Sequence, residues 1–163
     1  MMKRPPKDLG KALAAGYQPM FMTGPEIKKH FAPFEGDKRI MDLPDSEKAN
    51  KYDHGFREEN DKELWDRKLS ESRQTGRQRY GDMAFHMGAV PRGISPKSSL
   101  ESVAKTKGIP GYVSLQQTPD EGKPQVLGGH HRVALSAEQF KSHIFPVKYY
   151  RNVEQAQRDP GYK

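Results

Sequence analysis

The clearest order in the apolar and polar positions lies between residues 98 and 150. Residues 112–116 (Tyr-Val-Ser-Leu-Gln) alternate as in a half-buried strand, residues 125–127 (Gln-Val-Leu) form a short strand-like run, and residues 144–150 predict a longer strand. Residues 119–122 (Pro-Asp-Glu-Gly) are typical of a hairpin turn between the first two. The pattern predicts a small mixed sheet.

Two helices are predicted to pack on this sheet. Ser98 and Glu101 have the spacing of a capping box at the start of one helix, which ends at Gly108. The other runs over residues 132–140, with its small and apolar side chains directed inward. The fold class is therefore α+β (mixed α/β), with a small mixed sheet, packed helices and an extended N-terminal helix and loop region.

The first part of the chain predicts helices and loops. A basic arm with at most one short helix precedes a helix that begins at Thr23, where Glu26 completes a capping box. A longer helix is predicted over residues 60–72, with Asn60 as its cap and Glu63 at the capping-box position. Its tryptophan, Trp65, is expected to anchor this helix in the core, with stacking on a nucleobase as the less favoured alternative.

The segments around these helices are predicted to be irregular. Residues 36–55 predict a loop, residues 73–79 an exposed basic linker that could touch phosphates, and residues 81–95 a loop or one irregular helical turn. The predicted division of the chain is a basic N-terminal arm (1–22), a helix and loop region (23–97), a core (98–150) and a polar C-terminal tail (151–163).

Composition limits the size of the core and the available chemistry. The chain has 163 residues, of which 33% are hydrophobic and 30% charged, so a compact core is expected over only part of its length. The absence of cysteine excludes disulfides, thiolate nucleophiles and cysteine metal sites. No apolar run is long enough to cross a membrane, and residues 1–10 lack a signal-peptide core, which predicts a soluble, cytoplasmic protein without a membrane partner.

The net charge of +7 is placed unevenly along the chain. Residues 1–11 carry four basic side chains against Asp8, and residues 123–163 carry seven against three acidic ones, while the segment between them is balanced. Basic ends of this kind favour a polyanion or an acidic protein surface as partner. For the first eleven residues, a solvated tail that aids solubility is the alternative.

One stretch carries the strongest chemical signal. Two glycines, Gly128 and Gly129, follow a strand and precede a helix, where the first amides of the helix have no intrahelical partner. His130, His131 and Arg132 add side-chain donors, and the planar fork of Arg132 matches phosphate oxygens. These five residues are predicted to bind phosphate.

A metal site is not predicted at this stretch. Adjacent side chains near a helix start diverge, so His130 and His131 do not point at one ion, and no Asp or Glu follows within five positions. The other histidines that could carry chemistry, His54, His86 and His143, are expected to be packing or surface residues.

The same stretch carries a family resemblance. Residues 128–132 (Gly-Gly-His-His-Arg), followed by Val133-Ala134 and by residues 144–147 (Ile-Phe-Pro-Val), resemble the phosphate loop of the ParB/sulfiredoxin superfamily. The preceding segments resemble the short helix, Gly-Ile turn and strand of ParB-like domains, many of them phage-encoded: Ser99–Ala104, Gly108-Ile109 and Tyr112–Leu115. The resemblance covers about residues 98–150.

The resemblance implies some activities and excludes others. Sulfiredoxins have a cysteine after the two glycines, where this chain has His130, so sulfiredoxin activity is excluded. Chromosome-partitioning ParB proteins bind a cytidine nucleotide and carry a following helix-turn-helix domain. This chain ends about a dozen residues after its last predicted strand and shows no second matching arginine motif, so centromere recognition is not expected.

Binding is favoured over catalysis. Some relatives are described as ParB-like nucleases, but a nuclease or nucleotidase needs metal-binding carboxylates or a clear base, and near the loop only His130, His131, Asp120 and Glu121 are candidates. The two acidic residues are better explained by the turn. The resemblance implies a nucleoside triphosphate with magnesium as the cofactor, and a nucleotide or DNA phosphate as the partner, with a homo-oligomer compatible.

The alternative function belongs to a different class. The low apolar content, the basic arm and the proline-punctuated first half suit a chain that wraps a neighbour and is ordered by it. Such a protein would be a structural component of a phage virion, a minor capsid or other particle-associated protein, that uses the ParB-like fold for docking. Its location would then be the virion rather than the host cytoplasm alone.

Overall fold

The computed structural model describes residues 6–41, 57–91, 94–117 and 124–161. Its main sheet has four strands in the order β1-β6-β4-β5, in which β4 and β6 are parallel and the two outer pairs are antiparallel. A separate two-stranded sheet pairs β2 with β3. The strands are β1 (Phe21–Thr23), β2 (Ile40–Met41), β3 (Arg57–Glu58), β4 (Val113–Gln116), β5 (Gln125–Gly128) and β6 (Ile144–Tyr150).

Short helices surround the main sheet. In the described parts of the chain they are α1 (Leu9–Ala14), α2 (Gly24–His30), α3 (Asp61–Ser72), α4 (Gly76–Tyr80), α5 (Asp82–His86), α6 (Leu100–Lys107), α7 (His130–Glu138) and α8 (Val153–Arg158), with a 3₁₀ turn at Glu35–Asp37. Among these helices, none is both long and apolar enough to cross a bilayer.

Helix α7 is the centre of the fold. It follows β5 directly, and both α2 and α3 pack against it. Helix α7 buries Val133, Ala134 and Leu135 in the same hydrophobic cluster as Trp65 of α3 and Ile27 of α2. The helix that begins at the glycine loop is therefore fixed from two sides, so the loop has a rigid support.

The predicted fold class and the predicted strands are confirmed. The protein is a mixed α+β structure, and the strands expected over residues 112–116, 125–127 and 144–150 are β4, β5 and β6. Two predicted helix starts are also confirmed, because the capping boxes of Thr23 with Glu26 and of Asn60 with Glu63 both form.

Other local predictions were wrong in detail. The cap of α6 is Ser99, which pairs with Ser102, because the Ser98 hydroxyl instead accepts a hydrogen bond from the backbone of Ser95. The helix predicted over residues 132–140 begins at His130, because the left-handed conformation of Gly129 already caps it.

Regular structure also occurs outside the predicted helices and strands. The basic linker includes α4, whose cap, Thr75, forms a capping box with Gln78. The predicted polar tail includes α8, which buries Ala156 against the end of β6. The N-terminal region adds β1 to the main sheet, paired with β6. The predicted hairpin turn at residues 119–122 and most of the loop predicted over residues 36–55 lie outside the described residues.

Candidate functional site

The turn between β5 and α7 depends on its two glycines. Gly129 has a backbone φ of +96°, in the left-handed region that favours glycine, and a Cβ there would lie 3.3 Å from Val113 Cγ2. A Cβ on Gly128 would lie 2.7 Å from the hydroxyl oxygen of Ser114, its partner across the β4–β5 ladder. Both glycines let the chain reverse tightly into the helix, at the surface of a cleft.

Arg132, on the first turn of α7, reaches back to the chain before β4. Its Nη1 donates a hydrogen bond of 2.9 Å to the carbonyl oxygen of Tyr112. Its guanidinium group also lies against Gly111, where an added Cβ would meet Nη1 at 2.6 Å. Burial, which removes water from the guanidinium, lowers the pKa of Arg132 from its ordinary value.

His130 points into the core. The ring is 5% exposed and lies against the indole of Trp65, with 5.7 Å between ring centroids. The Nε2 atom accepts a hydrogen bond of 3.1 Å from the backbone N–H of Phe34, while Nδ1 lies 3.5 Å from Asp37 Oδ2. Burial lowers the pKa of His130 to about 4 despite the nearby Asp37, so the ring is neutral at pH 7.

His131 links two charged side chains from different helices. Its Nε2 lies 3.0 Å from Glu71 Oε1 on α3, and its Nδ1 lies 2.9 Å from Arg79 Nη2 on α4. Burial and the charge of Arg79 lower the pKa of His131 to about 4. The neutral ring therefore donates its Nε2 proton to the carboxylate and accepts from the guanidinium at Nδ1.

These groups line one cleft of about 450 Å³. Its described wall includes the whole predicted loop, Gly128 to Arg132, together with the cations Lys68 and Arg79. The carboxylate in this wall is that of Asp37, which lies 3.2 Å from the Lys68 ammonium and so neutralises it. Arg79 and Arg132 thus leave the cleft with excess positive charge. The rest of the wall is Tyr80, Pro91, Ile94, Leu100, Pro110, Tyr112 and Ser114.

The wall of the cleft suits phosphate oxygens better than a metal ion. The backbone of the glycine turn and two arginines supply hydrogen-bond donors and positive charge. Among the residues that the structure describes, no group of three His, Asp or Glu side chains is arranged to hold a metal.

The sequence predicts the loop but not the residues that face it across the cleft. Arg79 lies in the segment expected to be an exposed basic linker that could touch phosphates, although the Thr75–Gln78 spacing is a capping-box signal for a helix there. Nothing in the sequence distinguishes Glu71 from the other charged residues of α3. No local signal in the sequence shows that Arg132 packs on Gly111.

Comparisons of the chain with protein-family models, curated proteins and solved structures returned no match. The resemblance to the ParB/sulfiredoxin superfamily therefore stays a prediction carried by the sequence motifs. The geometry and charge of the cleft are what support a function.

Proposed function

We propose that the cleft binds a phosphate group of a nucleotide or a nucleic acid through residues 128–132, in the manner expected of a ParB-like domain. One observation carries the proposal: the glycine turn, the start of α7 and the side chains of Arg132 and Arg79 line the same cleft. Each of these features favours an anion, and phosphate is the anion that combines high charge with several acceptor oxygens.

The state of Arg132 supports an anionic ligand. Within the described chain, the acceptor found for its guanidinium is the neutral carbonyl of Tyr112. A guanidinium has five N–H donors and stays charged at any ordinary pH. This partly buried cation therefore retains donors, and the described residues give it no counter-charge. A phosphate in the cleft would supply both acceptor oxygens and negative charge.

The backbone of the turn adds a second source of attraction. Gly129 caps α7 without a side-chain hydrogen bond, so the first amides of this nine-residue helix are not capped by a side chain. These amides carry the partial positive charge of the helix start. The missing Cβ atoms at Gly128 and Gly129 let the turn pack against Ser114 and Val113, which keeps the start of α7 at the wall of the cleft.

The geometry of the cleft supports binding of a phosphate group without cleavage of a bond. The ring nitrogens of His130 and His131 already face protein groups on both sides, and Asp37 is paired with Lys68. A general base must have a nitrogen or carboxylate within reach of the proton it removes. The described wall of the cleft offers donors and positive charge in place of such a base.

Replacing Arg132 by alanine is expected to weaken the binding of a nucleoside triphosphate by about ten- to a hundredfold. A hydrogen bond to a charged group contributes roughly 1.5–3 kcal/mol. Arg132 uses Nη1 for the Tyr112 carbonyl, so the other N–H groups of its guanidinium are left for the ligand. Isothermal titration calorimetry with each of the four common nucleoside triphosphates, with and without magnesium, measures the change. Arg158→Ala, which removes an exposed arginine of α8, is the matched control.

The same two variants distinguish the source of the phosphate. Titration of duplex and single-stranded DNA in place of the nucleotides shows whether the cleft prefers a polymer, whose binding would weaken as salt rises. Loss of melting temperature in Arg132→Ala, with wild-type protein that binds neither nucleotides nor DNA, would show that Arg132 only supports the Tyr112 carbonyl. The proposal would then be abandoned in favour of docking within a particle.

A further inference from the structure

The arginines of this protein differ in what neutralises them. Five of them in the described chain pair with a carboxylate: Arg39, Arg57, Arg67, Arg73 and Arg77. Arg79 and Arg132, which line the cleft, donate instead to neutral groups, the His131 ring and the Tyr112 carbonyl. Both are partly buried. Two cations for which the described residues provide no carboxylate partner therefore meet at one cavity, although their sequence positions are far apart.

Arg79 is held in place by a well-anchored helix. The backbone N–H of Gly76 donates to the Ser98 carbonyl and that of Arg77 to the Pro96 carbonyl. A Cβ on Gly76 would lie 2.3 Å from the Ser95 carbonyl oxygen, so α4 sits directly on the segment that precedes α6. The guanidinium of Arg79 also lies over the Tyr80 ring, 4.8 Å from its centroid. The side chain is thus directed into the cleft by its own helix.

His131 holds the other side of Arg79. The Glu71 carboxylate also receives Arg67 and Arg39, at 3.4 Å and 3.2 Å, so it is ionised and accepts hydrogen bonds only. The His131 Nε2 must then carry the ring proton, and Nδ1 is left as an acceptor for Arg79. The Glu71 carboxylate therefore sets the tautomer of the His131 ring. This tautomer leaves Nδ1 as the acceptor that positions the Arg79 guanidinium.

We propose that Arg79 is a second phosphate-binding arginine of this cleft, and that His131 is a positioning residue that holds Arg79 through the Glu71–His131–Arg79 chain of hydrogen bonds. This proposal rests on the proposed function of the cleft and assigns His131 a different role from direct phosphate binding. Within the described part of the chain the Arg79 guanidinium donates to the His131 ring, and its other N–H groups are left for ligand oxygens. A ligand in the cleft would then contact two walls, Arg79 of α4 on one side and the start of α7 on the other.

The first test compares two arginines of the same short helix. Arg77 pairs with Asp82 and both side chains are largely exposed, whereas Arg79 lines the cleft. Each change to alanine removes one positive charge, so the net charge of the protein falls equally in the two variants. With inorganic tripolyphosphate as the probe in calorimetry, Arg79→Ala is expected to bind about tenfold or more weakly, and Arg77→Ala within about threefold of wild type.

The second test is a double-mutant cycle between His131 and Arg79. If His131 acts through Arg79, His131→Ala weakens tripolyphosphate binding in the wild-type background by about threefold or more and has little further effect once Arg79 is alanine. If His131 instead contacts the ligand itself, the two losses multiply. Melting temperatures of all three variants confirm that each is folded, and Arg79→Gln replaces Arg79→Ala if the latter is not.

The outcomes separate this proposal from the one on which it rests. Wild-type protein that fails to bind tripolyphosphate overturns both. Normal wild-type binding that Arg132→Ala weakens, with equal behaviour of Arg79→Ala and Arg77→Ala, retains the phosphate site and overturns the role of Arg79. Multiplicative losses in the cycle retain Arg79 and overturn the positioning role of His131.

Discussion

Replacing Trp65 by alanine is expected to destabilise the protein by about 3–5 kcal/mol, the range typical of removing a large aromatic side chain from a core. The indole is 4% exposed and belongs to the main hydrophobic cluster. It lies between α3 and α7 and touches the His130 ring. Its loss would leave a cavity directly beneath the start of α7, and unfolding in urea followed by far-ultraviolet circular dichroism measures the cost.

Two further variants make this prediction specific. Trp65→Phe keeps a ring against His130 and should cost clearly less than alanine. Met83→Ala, at a side chain that is 68% exposed on α5, should change the free energy of unfolding by no more than about 0.5 kcal/mol. A loss below about 1 kcal/mol for Trp65→Ala would mean that α3 is not held on α7 by this contact.

The elements that the sequence predicted well are those with local signals. Thr23 with Glu26 and Asn60 with Glu63 form capping boxes because each pair is three residues apart and needs no distant partner. The glycine turn likewise follows from the freedom of Gly129 to take a positive φ. Such features depend only on residues that are close together in the sequence.

The parts that the sequence could not predict depend on distant partners. Strand β1 has three residues and becomes a strand because β6 pairs with it, more than a hundred positions away. Arg79 looks like an ordinary basic residue until the fold places His131 beside it. The five loop residues were predicted from local chemistry, but the second wall of the cleft required the three-dimensional arrangement of α3, α4 and α7.

Acidification between pH 6.5 and pH 4 is expected to destabilise the protein steeply, because His130 and His131 are buried in the neutral form. Burial lowers the pKa of each ring from 6.5 to about 4. In the unfolded chain the same rings take up protons near pH 6.5. The unfolded state therefore binds more protons throughout this window, and stability rises with pH across it.

The size of this effect follows from the two pKa values. The contribution of each neutral ring to the free energy of unfolding is fully present above pH 6.5 and falls as the pH decreases. It is lost below about pH 4, where the ring is protonated in both the folded and the unfolded form. At about 1.4 kcal/mol per pH unit, His130 contributes roughly 3 kcal/mol, and His131 a similar order. The lowered pKa of Glu71, the partner of His131, acts in the same direction at the acidic end.

Urea unfolding at half-unit steps from pH 7.5 to pH 4.5 tests this expectation, with His130→Gln as the informative variant. A glutamine carbonyl can still accept from the Phe34 N–H but does not titrate, so the slope of unfolding free energy against pH should fall by about one proton. His143→Gln is the control, because its ring is only partly buried against Phe145 and burial lowers its pKa less. A wild-type stability that stays flat down to pH 5, or a His130→Gln slope equal to that of wild type, would mean that the His130 ring is hydrated in solution and that α7 does not begin in a closed core.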